Sequence, residues 1–213
     1  MMEKEIYNTL YKYIDEEGNE REDLREVQLL DDFSNERIKK LIDLLHNSDK
    51  YISYHAMLIL IAWGEDEGFK KLDEFINQKI DLKEEFEPHR IYGEDNVYDV
   101  ISDALYISTY NTNDEDKIYP YIKTMLGMYG DKFFESRLKS ILLKLKKTHI
   151  LLPAIKKAID LSLQKERYYQ ASQLLPIIAK HEKHKLKEYI NMFKPYVQFD
   201  KRIEYNLEEI RNN

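Results

Sequence analysis

His181-Glu182-Lys183-His184 brings two histidines and a carboxylate into four consecutive residues. A zinc-protease helix needs its histidines at i and i+4 so that both rings face one ion, with a glutamate between them as base. Here the spacing is i, i+3 and no third ligand follows, so the run does not read as a metal site. His55 lies within a nearly continuous apolar segment and reads as a hydrogen-bonded core histidine. Gly64 with Gly68, and Gly127 with Gly130, fit neither standard phosphate-loop pattern. The chain has no cysteine, which removes thiolate nucleophiles, thiolate ligands and disulfides together. No pair of carboxylates is singled out for glycoside chemistry. The residues thus nominate no catalytic group and imply no cofactor, and the expectation is a protein that is not an enzyme.

Contact chemistry is better represented. The longest stretch without helical periodicity runs from Ile80 to Asn96 and carries Glu84, Glu85, Glu87, Glu94 and Asp95, with Tyr92 and Tyr98 beside the last two. Long ordered loops in compact domains are often functional. Tyrosine among carboxylates suits a protein interface, because the ring supplies area and the hydroxyl a polar contact. These seven residues are the expected partner-binding set. Asp114-Glu115-Asp116 and Glu65-Asp66-Glu67 suit either a further acidic contact or, the favoured reading, helix starts, where carboxylates meet the positive end of the helix dipole.

The charge is unevenly distributed. Residues 1–116 carry 30 acids against 13 bases, and residues 117–213 carry 10 acids against 20 bases. Within the basic half Lys139, Lys144, Lys146, Lys147, Lys156 and Lys157 cluster on two successive segments. Such a stripe can track phosphates, although solvated lysines on exposed helix faces are the ordinary outcome.

The elements that must position these groups are helices. Apolar residues recur at helical spacing in Ile6, Leu10, Tyr13 and Ile14, in Ile38, Leu41, Ile42 and Leu45, and in Phe134, Leu138, Ile141 and Leu142, with similar stripes to the end of the chain. Residues 50–63 are apolar on nearly every side and predict a buried central helix. Ser34 and Asn47-Ser48-Asp49 precede helices as caps, Gly64 follows one, and Gly130-Asp131 reads as a stop followed by a start. Pro176 lies inside the stripe from Tyr168 to Ile178 and predicts a kink or break. With 6 Gly and 5 Pro in 213 residues, turn chemistry is too sparse for a sheet-rich fold. No apolar run approaches the ~18 residues of a membrane span. The charged start, Met1-Met2-Glu3-Lys4-Glu5, lacks a signal-peptide core, so a cytoplasmic location is expected.

Small residues recur at Ala56, Ala104, Ser140 and Ala171, at irregular intervals of 48, 36 and 31 residues that bracket the roughly 40–47 of a two-helix solenoid repeat. Leu44-Leu45, the turn at Ser48-Asp49, then Ala56, Leu60 and Gly64 resemble a degenerate HEAT repeat, with Ile52-Ser53 where that pattern carries Val-Arg. The resemblance covers residues 41–78 well and the remainder loosely. It implies an all-α, HEAT-like α-solenoid of antiparallel helix pairs, one domain over 1–213. Small acidic helical-repeat proteins of this kind are similar to bacterial immunity proteins of contact-dependent and polymorphic-toxin systems. That similarity implies a protein that binds a cognate toxin, a basic nuclease domain, and blocks its active site without touching nucleic acid or membrane. The alternatives are a HEAT-like DNA glycosylase, which would use the basic half, and a scaffold with no toxin partner.

Overall fold

The computed structural model describes residues 2–31, 33–88 and 93–212. The class is helical as expected: among the described residues the strands form one short antiparallel hairpin and the other regular elements are helices. The chain divides into two compact units. Unit 1 is Met1–Pro88 with Asp103–Glu115, and unit 2 is His89–Ser102 with Asp116–Asn213.

Unit 1 contains α1 (Lys4–Tyr11), β1 (Lys12–Ile14), β2 (Glu20–Glu22), α2 (Leu24–Gln28), α3 (Asn35–Leu44), α4 (Lys50–Ala62) and α5 (Asp66–Asn77). The centre is α4, buried without interruption from Ile52 to Ala62. Helices α2, α3 and α5 pack on it. Its start is capped by Asp49, whose carboxylate accepts from the Tyr51 and Ile52 N–H groups. Its end is a left-handed Gly64, with Gly64 N–H donating to Ile61 O and Glu65 N–H to Leu60 O, both at 2.9 Å. Polar groups carried inside are satisfied: Ser53 Oγ donates to Leu45 O at 2.7 Å and Trp63 Nε1 to Val27 O at 3.0 Å. Ser34 caps α3 as the sequence predicts, its hydroxyl accepting from Arg37 N–H at 3.1 Å.

The first stripe departs from expectation. Helix α1 stops at Tyr11, and Tyr13 and Ile14 belong to β1, paired with Arg21 and Glu20 of β2. The turn explains this. The Asp15 carboxylate accepts from the Glu17 N–H at 3.0 Å, the Asn19 N–H at 2.8 Å and Arg21 Nε at 2.9 Å, and Gly18 takes a φ of +83°. An aspartate that satisfies backbone donors locally competes with helix continuation.

Helix α6 (Val97–Thr112) gives its first turns to unit 2 and the rest to unit 1. Unit 2 continues with α7 (Tyr119–Met128), α8 (Arg137–Lys144), α9 (Leu152–Gln164), α10 (Tyr168–Ser172), α11 (Leu175–His181), α12 (Leu186–Phe193) and α13 (Arg202–Asn212). The predicted break falls between α10 and α11, with Pro176 in the first turn of α11, where a missing N–H costs nothing. Gly130 is not a left-handed stop. A Cβ there would meet the Leu161 backbone of α9 at 2.9 Å, so the residue permits a close approach of chain segments. Asp131 starts no helix either; it pairs with Lys165 at 3.2 Å, and α8 begins only at Arg137. Asp114-Glu115-Asp116 lies just ahead of α7, whose cap position is Ile118, and Asp116 pairs with Lys147 at 2.7 Å. Of the proposed small-residue anchors Ala56, Ala104 and Ala171 are fully buried, whereas Ser140 is exposed and lies outside any packing seam.

Candidate protein-binding cleft

Unit 2 builds a wall from chain that has no regular structure. Between α7 and α8 the backbone of residues 129–138 would leave buried polar groups unpaired, and three side chains from other elements satisfy them. Asp99 on α6, fully buried, accepts from the N–H groups of Glu135 at 3.2 Å, Ser136 at 3.2 Å, Arg137 at 3.1 Å and Leu138 at 2.8 Å. Burial pushes its carboxyl up and the backbone donors pull against that. Since every neighbour in this set is a donor, the carboxylate is the form that fits. Gln170 on α10 accepts from Phe134 N–H at 2.9 Å and donates to Lys132 O at 2.9 Å and to Tyr129 O. Gln173 donates to Glu135 O and accepts from the Tyr129 hydroxyl at 3.2 Å. Phe133, Phe134 and Glu135 are thereby held in place without a helix.

Those residues form one side of a cleft of about 460 Å³, whose other sides come from Glu166–Gln170 and from Phe199, Asp200 and Arg202. Helix α9 ends with Glu166 at φ +59°. The Glu166 N–H donates to Leu163 O at 3.1 Å and the Arg167 N–H to Ser162 O at 2.9 Å. This is the helix-ending pattern seen at Gly64, executed with a glutamate where glycine is favoured. The turn delivers Arg167, which grips Glu94 with both nitrogens, Nη1 to Oε1 at 3.2 Å and Nη2 to Oε2 at 2.6 Å. A second fork joins Arg202 to Asp200, with Nη2 to Oδ2 at 2.6 Å and Nε to Oδ1 at 3.0 Å. That guanidinium holds the Asp200 carboxyl below the usual carboxylate range, and it lies over the Tyr169 ring at 4.0 Å. Tyr168 stacks on Tyr196 at 4.4 Å and on Phe199 at 5.3 Å, and Phe199 is 64% exposed.

The seven residues expected at an interface fall in different places. Glu84 and Glu85 are exposed in unit 1, beyond the 3-10 turn Ile80–Leu82. Glu87, also in unit 1, is half-buried with Oε1 4.0 Å from His55 Nε2. Tyr92 lies outside the described residues. Glu94 belongs to the cleft of unit 2. Asp95 caps the start of α6, Oδ1 accepting from Val97 N–H at 2.9 Å. Tyr98 is 2% exposed, and its place in the first turn of α6 turns it into the core, so it presents no ring to a partner. The irregular stretch is also better anchored than its sequence implies. Phe86 is buried against Tyr54 at 4.9 Å and Phe75 at 5.3 Å.

His55 is the core histidine expected, sharing a 2.8 Å hydrogen bond with the Tyr11 hydroxyl; burial lowers it to about 4. Three of the clustered lysines are committed within unit 2, Lys139 to Glu209, Lys147 to Asp116 and Lys156 to Glu182, each at 2.7 Å. Among the described residues no set of His, Asp and Glu side chains converges on a metal position. No helix of the described residues is long and apolar enough to cross a membrane. No protein-family model, curated protein or solved structure matches the chain. The cleft combines a pre-set wall, an exposed aromatic lip and two internally neutralised guanidinium groups. Such a surface can grip a protein side chain. Arg167, Arg202 and Phe199 carried no sequence signal, since Arg167 lies more than thirty residues from Phe199 and Arg202 and meets them only in the fold.

Proposed function

We propose that this protein is a non-catalytic binding module, an immunity protein that captures a cognate toxin, a basic nuclease domain, and covers its active site. The observation that supports it is the cleft of unit 2, where Glu94 from the expected interface set joins an exposed aromatic lip on a wall fixed by Asp99, Gln170 and Gln173. A wall already ordered loses little conformational freedom on binding, and affinity gains accordingly. The acidic excess of residues 1–116 would speed the encounter with a basic partner and imitate the phosphate charge of its substrate. In this proposal the helices stack as a HEAT-like solenoid of antiparallel pairs and the protein works in the cytoplasm.

The test is protection. A toxin domain encoded beside this gene, expressed with and without the protein, should arrest growth only in its absence, and the two chains should co-purify. Growth arrest that persists despite full expression of the folded protein would sink the reading. So would excision of an alkylated base by the purified protein, lost on changing one carboxylate, which would establish the glycosylase alternative.

A further inference from the structure

Unit 1 has a concavity of its own, of about 420 Å³, between the hairpin and α2. Part of its lining is apolar. Ile14 of β1 is 61% exposed and Leu29, just past α2, is 41% exposed, with Tyr13 and Leu30 half-buried beside them. Single apolar side chains in solvent are ordinary, but these four meet in one groove, and apolar patches rimmed by polar groups mark contact surfaces.

The rim is acidic. Glu16 and Glu17 of the turn, Glu26 of α2 and Asp15 complete the lining, and among the described residues no Lys, Arg or His joins them. Asp15 is neutralised by Arg21 at 2.9 Å. The other three carboxylates enter no ion pair among the described residues; Glu17 accepts only from the Asn19 side-chain amide, at 3.3 Å. The remaining cations of these elements are engaged elsewhere, Lys12 with Glu20 at 2.9 Å and Arg25 with Asp103 at 3.1 Å. Burial first, and then the carboxylates of Glu26, Asp23 and Asp15, raise the Tyr13 hydroxyl above its ordinary range.

Both walls are also held in place. Asp15 ties the turn through the Glu17 and Asn19 N–H groups. Asp23 caps α2, accepting from the Arg25 N–H at 2.7 Å and the Glu26 N–H at 3.0 Å, and Trp63 Nε1 holds Val27 O. A groove ordered beforehand loses little freedom on binding.

The two chemistries together select the occupant. Phosphate and nucleic acid are repelled by the rim. A metal ion gains nothing from Ile14 and Leu29, and no set of side chains among the described residues converges to hold one. A second copy docked symmetrically would set the same three glutamates against themselves. A protein segment with an apolar side chain between lysines or arginines satisfies both groove and rim.

We infer that the groove between the hairpin and α2 docks such a basic segment of the protein partner, its apolar side chain on Ile14 and Leu29 and its cations at Glu16, Glu17 and Glu26. The inference rests on the protein-binding reading above for the partner, but the groove can be tested without one.

The experiment titrates the full chain, labelled with ¹⁵N, with the blocked peptide acetyl-Arg-Leu-Arg-Leu-Arg-amide. Three controls separate the contributions: glutamate in place of arginine, glutamine in place of arginine, and glycine in place of leucine. The arginine–leucine peptide should move the amides of residues 13–17 and 26–30. The glutamine and glycine peptides should each bind at least about threefold more weakly, and the glutamate peptide should not bind. Ile14→Ser, and Glu16→Gln with Glu26→Gln, should each weaken the parent peptide severalfold, whereas Glu204→Gln on α13 should not. Shifts absent or lying away from the groove, or equal binding of the glutamine and glycine peptides, would overturn the assignment. So would self-association of the protein that Ile14→Ser abolishes, since the groove would then belong to a second copy. If the groove fails these tests while the toxin is still neutralised, the inference falls and the immunity reading stands. If the groove binds as expected and no toxin is neutralised, the groove stands and the immunity reading falls.

Discussion

Asp99 concentrates much of the order of unit 2 in one side chain. It is sealed from water and satisfies four consecutive backbone donors. Asp99→Ala would orphan them all, at about 1–3 kcal/mol for each group left buried and unpaired. Relaxation of the loop would recover part of that, so a loss of about 3 kcal/mol is expected, seen as faster hydrogen exchange at residues 135–138 than in the parent. Exchange unchanged at those amides would mean that the helix end of α8 holds itself. His55 offers a test of opposite character. Its folded value of about 4 lies below the ~6.5 of an exposed imidazole, so the unfolded chain binds the extra proton. Stability from the neutral histidine is complete above pH ~6.5 and is lost as the pH falls towards 4, by up to about 3 kcal/mol. Urea midpoints across that range should fall in the parent and fall less in His55→Gln. Parallel curves for the two proteins would dismiss the histidine as the source.

Helix ends carry the clearest contrast between elements. Gly64 and Glu166 occupy the same left-handed position after α4 and α9, at φ +84° and +59°. Glu166→Gly should stabilise unit 2 by about 0.5–1 kcal/mol, because glycine adopts this region without the side-chain penalty. A variant with a higher melting temperature is the expected result, and an unchanged one would mean that the left-handed glutamate costs the helix end nothing. In α4 the packing is the issue: Ala56 is fully buried, and Ala56→Leu should cost about 1–3 kcal/mol through overpacking, read from the urea midpoint. These elements also show what a sequence can reveal. Periodicity located α4, and local chemistry located the Ser34 and Asp49 caps, the Gly64 stop and the break before Pro176, because each signal sits within a few residues of its effect. The hairpin was obscured by an apolar spacing that α1 and β1 share, while Asp15 acted across a turn. Asp99, Gln170 and Gln173 look like ordinary surface polar residues until distant backbone comes to meet them. Arg167 and Arg202 are legible only through the carboxylates they hold, and Tyr98 was read as interface because its neighbours are acidic although its own helix turns it inward.

On the scale of the molecule, charge and connectivity have separate consequences. The acidic excess of residues 1–116 should appear in association rates. Neutralising the exposed Glu84 and Glu85 together should slow capture of a basic partner more at low salt than at high salt, with dissociation little changed. Equal slowing at both salt concentrations would place those carboxylates inside the contact. Connectivity bears on how the protein can be made and cut. Unit 1 is complete only after Glu115, yet by then the chain has passed through the segment ending at Ser102 that belongs to unit 2. A ribosome that has just released residue 115 therefore displays Val97, Tyr98 and Ile101 with no core to enter and Asp99 with none of its four donors. Their partners arrive some tens of residues later, with Leu138 closing the set. A nascent chain stalled in that interval should bind trigger-type chaperones through this segment, and no single proteolytic cut can free either unit whole.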